Sequence, residues 1–397
     1  MRRLGPFRLL TLHYALYQLA VAIAGGFVGA YLLRLGFSMS TALVSFAALL
    51  AVRCCLRFIG LGVVRRLGYR RALVAGAAIS AFQFPPLVFA HEPLFFGLWL
   101  LTVSLAEALY WPVYHAAMSV TGIDASRGRE LGFRASVGAL VGIIGPLTGG
   151  FLLDRFGPSV DFGIAAVLAL ASAIPLAALS EFSAGPVPHS RDWIGGVDRG
   201  AIMAFGADGW MMSGLALAWP LALFVSLGSE YGAFGIANAI AGVVGAVAGV
   251  ICGRAIDHGG RDRYLLVACI ALAIGFLLRA GAGWSPVAAT IANATGAAVM
   301  ALYVPVLMSV IYDRAKRSGF AYRFHFAAEA GWDVGAASGC LASALVAWAG
   351  EVPSLAVLPG MLGILLLYRY VRQPPASNAP AGPAERGRAS TVETSAS

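Results

Sequence analysis

Apolar residues fill this chain in long runs, and clusters bearing charge, glycine or proline interrupt them at near-regular intervals. The runs recur from near residue 8 to residue 371. As helices they are long enough to cross the ~30 Å hydrocarbon layer of a bilayer. The breaks predict twelve helices. Six span 8–33, 39–64, 72–90, 94–120, 132–153 and 161–180; six more span 199–226, 232–255, 263–282, 286–311, 321–346 and 353–371. No ten-residue alternating pattern of an outer-membrane barrel is present. The expected fold is an all-α polytopic membrane protein with twelve transmembrane helices.

Composition changes that picture little. The chain is 59% hydrophobic and 12% charged, well below the charge a soluble domain carries. A net charge of +9 could point to nucleic acid, but the charges lie between apolar runs rather than in one patch. The expected partner is therefore the lipid bilayer and not nucleic acid. With the N-terminus inside, the cytoplasmic side holds about 25 of the 28 Lys and Arg residues, and the other side holds Arg34, Arg155 and Arg279. The positive-inside rule then puts both termini in the cytoplasm, in a plasma (inner) membrane. Met1-Arg2-Arg3 starts like a signal peptide, but the apolar run behind it continues to about Leu33, too long for such a segment. Cys54, Cys55, Cys252, Cys269 and Cys340 are odd in number, lie in apolar runs and lack metal-ligand spacing. They read as reduced, buried thiols, with no metal and no cofactor.

The stretch EFSAGPVPHSRDWIGGVD (181–198) is polar and Pro/Gly-bearing. It divides the chain into a six-helix half (1–180), a cytoplasmic linker (181–198) and a second six-helix half (199–372). The tail 373–397, rich in Pro, Ala, Ser and Gly, reads as disordered. The halves repeat each other. ALYWPV (108–113) returns as ALYVPV (301–306), an offset of 193. Gly138 and Gly142 return as Gly331 and Gly335 at the same offset, and RRLGYRR (65–71) is matched by DHGGRDR (257–263) at 192. A parallel duplication with an even number of helices per unit predicts two pseudo-symmetric halves of like orientation.

On these residues the chain resembles the major facilitator superfamily over nearly its whole length. That family's loop between helices 2 and 3 reads roughly G-x-x-x-D-R-x-G-R-R and helps to lock the cytoplasmic side. Here the first copy offers Arg65, Arg66, Gly68, Arg70 and Arg71, with Arg65 where the acid should stand. The second copy keeps the acid, with Asp257, Gly260 and Arg261. Gly145, Pro146, Gly149 and Gly150 resemble the end of a motif of exporters that exchange substrate for protons. The same residues also suit a bend and close helix packing.

The resemblance implies that helices 1, 4, 7 and 10 line a central cavity, while 2, 5, 8 and 11 flank the seam between halves. Candidate cavity residues are then Tyr17, Gln18, Tyr110, Trp111, Tyr114, His115, Trp210, Asn293 and Tyr303. Such an aromatic set suits an amphipathic organic molecule, although each ring could equally be packing. Ionisable residues at membrane depth are candidates for proton coupling or gating: Arg53 and Arg57 in helix 2, Glu107 in helix 4, Asp208 in helix 7, and Glu329 and Asp333 in helix 11. At 1.5 Å per residue, Arg57 and Glu329 both lie roughly 12 Å deep, and Arg53 and Asp333 roughly 18 Å. The expectation is a zipper of Arg57 with Glu329 and Arg53 with Asp333 that closes the cytoplasmic side. Alternatively the arginines snorkel to the interface, or Arg53 binds an anionic substrate. The expected function is proton-coupled efflux of a small organic solute by a monomeric secondary transporter, with import or facilitated passage of a nutrient or organic anion as the alternative. No catalytic cluster points to an enzyme, and no G-x-x-x-x-G-K-[ST] loop points to a nucleotide-driven pump.

Overall fold

The structure, a computed structural model, describes residues 5–120, 127–195, 197–256 and 261–371. The predicted tail, Asp257, Gly260 and the side chain of Arg261 fall outside the described residues. The first half contains α1 (Pro6–Arg34), α2 (Met39–Leu67), α3 (Tyr69–Val88), α4 (Pro93–Val120), α5 (Arg127–Phe156) and α6 (Pro158–Ala177). The second contains α7 (Arg199–Ser226), α8 (Tyr231–Ile256), α9 (Arg261–Ala280), α10 (Pro286–Arg317), α11 (Ala321–Ala349) and α12 (Pro353–Val371). Eleven helices among the described residues are long and apolar enough to cross a membrane; the apolar part of α9, Tyr264–Ala280, is shorter. Several helices overrun their predicted ends. The clearest is α10, which continues through charged residues to Arg317 because water at the membrane surface tolerates a polar last turn.

Local chemistry sets the boundaries. Ser38 caps α2 by accepting from the Thr41 amide at 3.1 Å, and Gly68 ends it at φ +83°, a conformation that glycine adopts without strain. Asp198 caps α7 through the Gly200 amide at 2.9 Å, and Ser285 precedes Pro286 at the start of α10. Two helices are interrupted at corresponding heights. A tight 3-10 turn, Gly25–Phe27, breaks α1, and a π segment, Ser213–Ala218, breaks α7. Gly25 shifted by the repeat offset of 193 falls on Ala218.

Packing follows the duplication. In the first half α1 packs on α5 and α6, and α4 packs on α2 and α3; in the second, α7 packs on α11 and α12, and α10 packs on α8 and α9. The halves meet along two seams, α2 with α11 and α5 with α8. Glycines let these helices approach closely. A Cβ on Gly150 would lie 2.7 Å from the Tyr231 carbonyl across the α5–α8 seam. Gly145 and Gly149 serve the same end against Ala22 and Ile23 of α1, and α5 runs unbroken through Pro146. The outer surface is apolar, with Leu94, Ile174 and Leu365 about 70% exposed. Water would not tolerate so extensive an apolar surface, and lipid requires it: this is an integral, multi-pass membrane protein. The cysteine expectation is corrected in part. Cys269 and Cys340 are buried, but Cys55 is exposed on the apolar exterior of α2.

Candidate functional site

The α2–α11 seam carries a ladder of buried charge. Arg53 and Arg57 are one turn apart on α2, and Glu329 and Asp333 one turn apart on α11. Arg57 donates through Nε to Asp333 Oδ2 at 2.5 Å and through Nη2 to Glu329 Oε2 at 3.2 Å. Arg53 donates through Nε to Asp333 Oδ1 at 2.7 Å and through Nη1 to Glu107 Oε2. Asp333 is thus shared by both arginines, and α4 joins the cluster through Glu107. The expected partners do meet, but as an alternating ladder rather than two separate pairs. Arg57 and Asp333 have no exposure, so neither arginine snorkels. Arg53 also faces the cavity, paired there with Asp333 and Glu107 and with Trp332 beneath its guanidinium at 5.1 Å.

Beside the ladder lies a second network. His115 Nε2 lies 3.5 Å from Glu329 Oε1, and its Nδ1 pairs with the Tyr312 hydroxyl at 3.0 Å. His325 stacks on His115 and pairs with Ser119 Oγ at 2.9 Å. Packing of α4 against α11 removes most of His115 from solvent.

Away from the linker lies a cavity of about 430 Å³. Its walls include Tyr17, Phe46, Trp99, Trp111, Phe205 and Trp332, and Arg53, Glu107, His115, Asp208 and Glu329 also face it. Asp208 accepts from the Tyr303 hydroxyl at 2.5 Å and from Trp332 Nε1 at 2.9 Å. A neighbouring cavity of about 400 Å³ includes Gln18, Gly142, Pro146 and Asn238. Both cavities touch Gly25 and Leu217, at the two helix interruptions.

Five candidate cavity residues lie instead in the packing behind these walls. Tyr110 stacks between Tyr17 and Tyr114 and pairs with His13 at 2.7 Å. Tyr114 accepts from Arg134 at 2.6 Å. Trp210 turns towards α12 and donates to the Pro359 carbonyl at 2.8 Å. Asn293 accepts from Trp219 at 2.9 Å. Tyr303 stands behind Asp208, 1% exposed. In each case a polar tip found an internal partner, which is how a buried tyrosine, tryptophan or asparagine avoids an unpaired group. Sequence reasoning passed over Phe46, Trp99, Phe205 and Trp332. Trp332, adjacent to an intramembrane acid, was the most readable of them, and the helix interruptions at Gly25–Phe27 and Ser213–Ala218 mark where the cavity lies.

The linker touches both halves. From the first half, the Tyr69 hydroxyl donates to the Gly185 carbonyl, Arg65 donates to the Pro188 carbonyl at 2.7 Å, and Arg70 pairs with Glu181 at 3.2 Å. From the second, the Tyr322 amide donates to the Ala184 carbonyl at 3.0 Å and Arg323 pairs with Asp192 at 2.9 Å. Trp193 packs edge-on to Phe58 of α2 and Phe326 of α11. Arg66 and Arg71 are exposed and make none of these contacts.

Comparison with protein-family profiles and with curated protein sequences finds no match. Solved structures do match. The major facilitator transporter FucP in its outward conformation is 14% identical, covers 93% of this chain and 98% of its own, and superposes with a TM-score of 0.63. The human organic anion transporter MFSD10 is 15% identical, with coverages of 92% and 98% and a TM-score of 0.68. A D-xylose–proton symporter is 17% identical, with coverages of 94% and 98% and a TM-score of 0.64. The twelve helices in two pseudo-symmetric halves are the major facilitator fold.

Proposed function

We propose that the protein is a secondary transporter that moves a small organic solute by alternating access and couples it to protons, in the direction of efflux. The supporting observation is the buried ladder across the α2–α11 seam, on the linker side of the cavity. Charge at this depth is expensive unless it performs a task. Rocking one half against the other would part Arg53 and Arg57 from Glu329 and Asp333 and open the cavity towards the linker. The ladder has two guanidiniums and three carboxylates, counting Glu107. One bound proton therefore balances it, and a second would release an arginine. Protonation of Glu329 or Asp333 favours the linker-side-open state by weakening what holds the other state shut. With both termini and the linker cytoplasmic, in a plasma (inner) membrane, the present arrangement is closed inward.

The neighbours supply a second reading. The E. coli FucP is a fucose:proton symporter, and proton-coupled import would use the same parts. The sign of proton movement separates the two readings. Vesicles with a pH gradient and a lumenal pH dye, given a panel of lipophilic cations, neutral drugs and organic anions, should report compound-triggered proton movement that Glu329→Gln and Asp333→Asn abolish. Labelled compound crossing without protons would overturn the coupling. A panel in which nothing crosses would overturn the transporter.

A further inference from the structure

Three carboxylates and one guanidinium face the main cavity: Glu107, Asp208, Glu329 and Arg53. Their pairing is uneven. Glu329 is held by Arg57 at 3.2 Å and lies 3.5 Å from His115, and Glu107 is held by Arg53. Behind them Arg57 and Asp333 cancel. Asp208 differs: both of its oxygens accept from neutral donors, Tyr303 and Trp332, and among the described residues no cation forms an ion pair with it. It is 8% exposed. A carboxylate so deeply buried without a counter-charge is costly, and the cost falls if a cation arrives in the space that it faces. The surrounding rings suit such a cation. Phe205, one turn before Asp208 on α7, lines the cavity with Trp332, Trp111 and Phe46, and aromatic faces attract quaternary and protonated amines. An anion finds less, because the one guanidinium on the wall is already paired with two carboxylates, Asp333 and Glu107. The volume, about 430 Å³, is that of a drug-sized ligand site.

We infer that the cavity binds an amphipathic organic cation whose ammonium group pairs with Asp208 while its apolar body lies against the aromatic wall. This deepens the transport reading by naming the substrate class, and it rests on this cavity being the transport site. Asp208 then selects the substrate, while the Glu329–Asp333 ladder, which Trp332 joins to it, reports protons.

The test is equilibrium binding to the full-length purified protein in lipid nanodiscs, measured apart from transport. Radiolabelled benzyltrimethylammonium is compared with benzylsulfonate and benzyl alcohol, which share its ring but carry negative and no charge. The cation should bind at least tenfold more tightly than the other two. Asp208→Asn should lower its affinity at least tenfold and leave the alcohol unchanged, and Asp208→Glu should restore most of the loss. Equal affinity for all three probes, preference for the sulfonate, no binding of the cation, or an Asp208→Asn variant with undiminished cation affinity would each overturn the inference; the last would mean that Asp208 holds a proton instead. If the asparagine variant does not fold, the ranking in the wild-type protein decides. Charge-ranked binding without movement in vesicles would sink the transport reading and leave the cation site standing, and transport with no charge ranking would do the reverse.

Discussion

Arg57 and Asp333 lie on opposite halves of the protein, both wholly buried, with Nε to Oδ2 at 2.5 Å. The same carboxylate takes Arg53 on its other oxygen at 2.7 Å. One aspartate therefore accepts from two guanidiniums, and Glu329 and Glu107 complete the outer rungs. In a low-dielectric seam the attraction is strong, but each partner left alone becomes an uncompensated charge. A switch needs that asymmetry: stable when complete, and costly to hold half-made.

Asp333→Asn should harm the linker-side-closed state more than Glu329→Gln does, because it deprives two arginines rather than one. Removing one partner of a buried pair costs about 3–5 kcal/mol. The expected result is a lower melting temperature and faster thiol labelling of Ser119→Cys, whose hydroxyl pairs with His325 on the closed side. Equal effects of the two variants would refute the sharing.

Phe58 and Phe326 face each other across the seam, with ring centroids 5.9 Å apart. Phe58→Cys with Phe326→Cys, in a background lacking the five native cysteines, should link through a short bis-thiol reagent. Transported compound plus low pH should reduce the yield several-fold. A yield indifferent to both would mean that this side does not open.

The helices were legible because the membrane imposes a length that apolar runs must match, and the two-half layout because duplication left ALYWPV and ALYVPV at one offset. The ladder was legible in kind but not in register. Helix α2 runs to Leu67 rather than residue 64, so Arg57 lies roughly 15 Å deep, midway between Glu329 and Asp333, and Arg53 roughly 21 Å. A three-residue error in a polar helix end converted a shared arrangement into two pairs. The cavity wall was less legible. Phe46, Trp99 and Phe205 are apolar rings in apolar helices, and nothing in spacing separates a ring that faces a void from one that faces a neighbour. The linker strap was illegible for a different reason. Three of its contacts are to backbone carbonyls, at Ala184, Gly185 and Pro188, and a carbonyl acceptor leaves no trace in residue identity.

The linker should bias the resting state. Trp193→Ala removes the ring that touches Phe58 and Phe326 together, and Arg323→Ala removes the Asp192 pair. The ring bridges α2 and α11, and the pair ties the same stretch of linker to α11. Each variant should shift the population towards linker-side opening, seen as two- to tenfold faster labelling of Ser119→Cys, with little change in melting temperature. The Arg323 effect should shrink in high salt, because that pair is near the surface. A salt-sensitive Trp193→Ala effect would contradict the apolar nature of that contact.

The close approach of α11 to α7 fixes the height of the acids. A Cβ on Gly335 would lie 2.7 Å from the carbonyl carbon of Gly206, and Gly335 sits two residues beyond Asp333 on the same helix. Gly335→Leu must push α11 away from α7, at about 1–3 kcal/mol for overpacking, and would shift Glu329 and Asp333 relative to the arginines. Gly97 offers the control: it is exposed on the outer face of α4, and a Cβ there meets nothing within 4 Å. The melting temperature in detergent should fall by several degrees for Gly335→Leu and hold for Gly97→Leu, and proton-linked transport should disappear only in the first. Transport that survived in Gly335→Leu would mean that the ladder tolerates displacement, and the coupling assigned to it would have to lie elsewhere in the cavity.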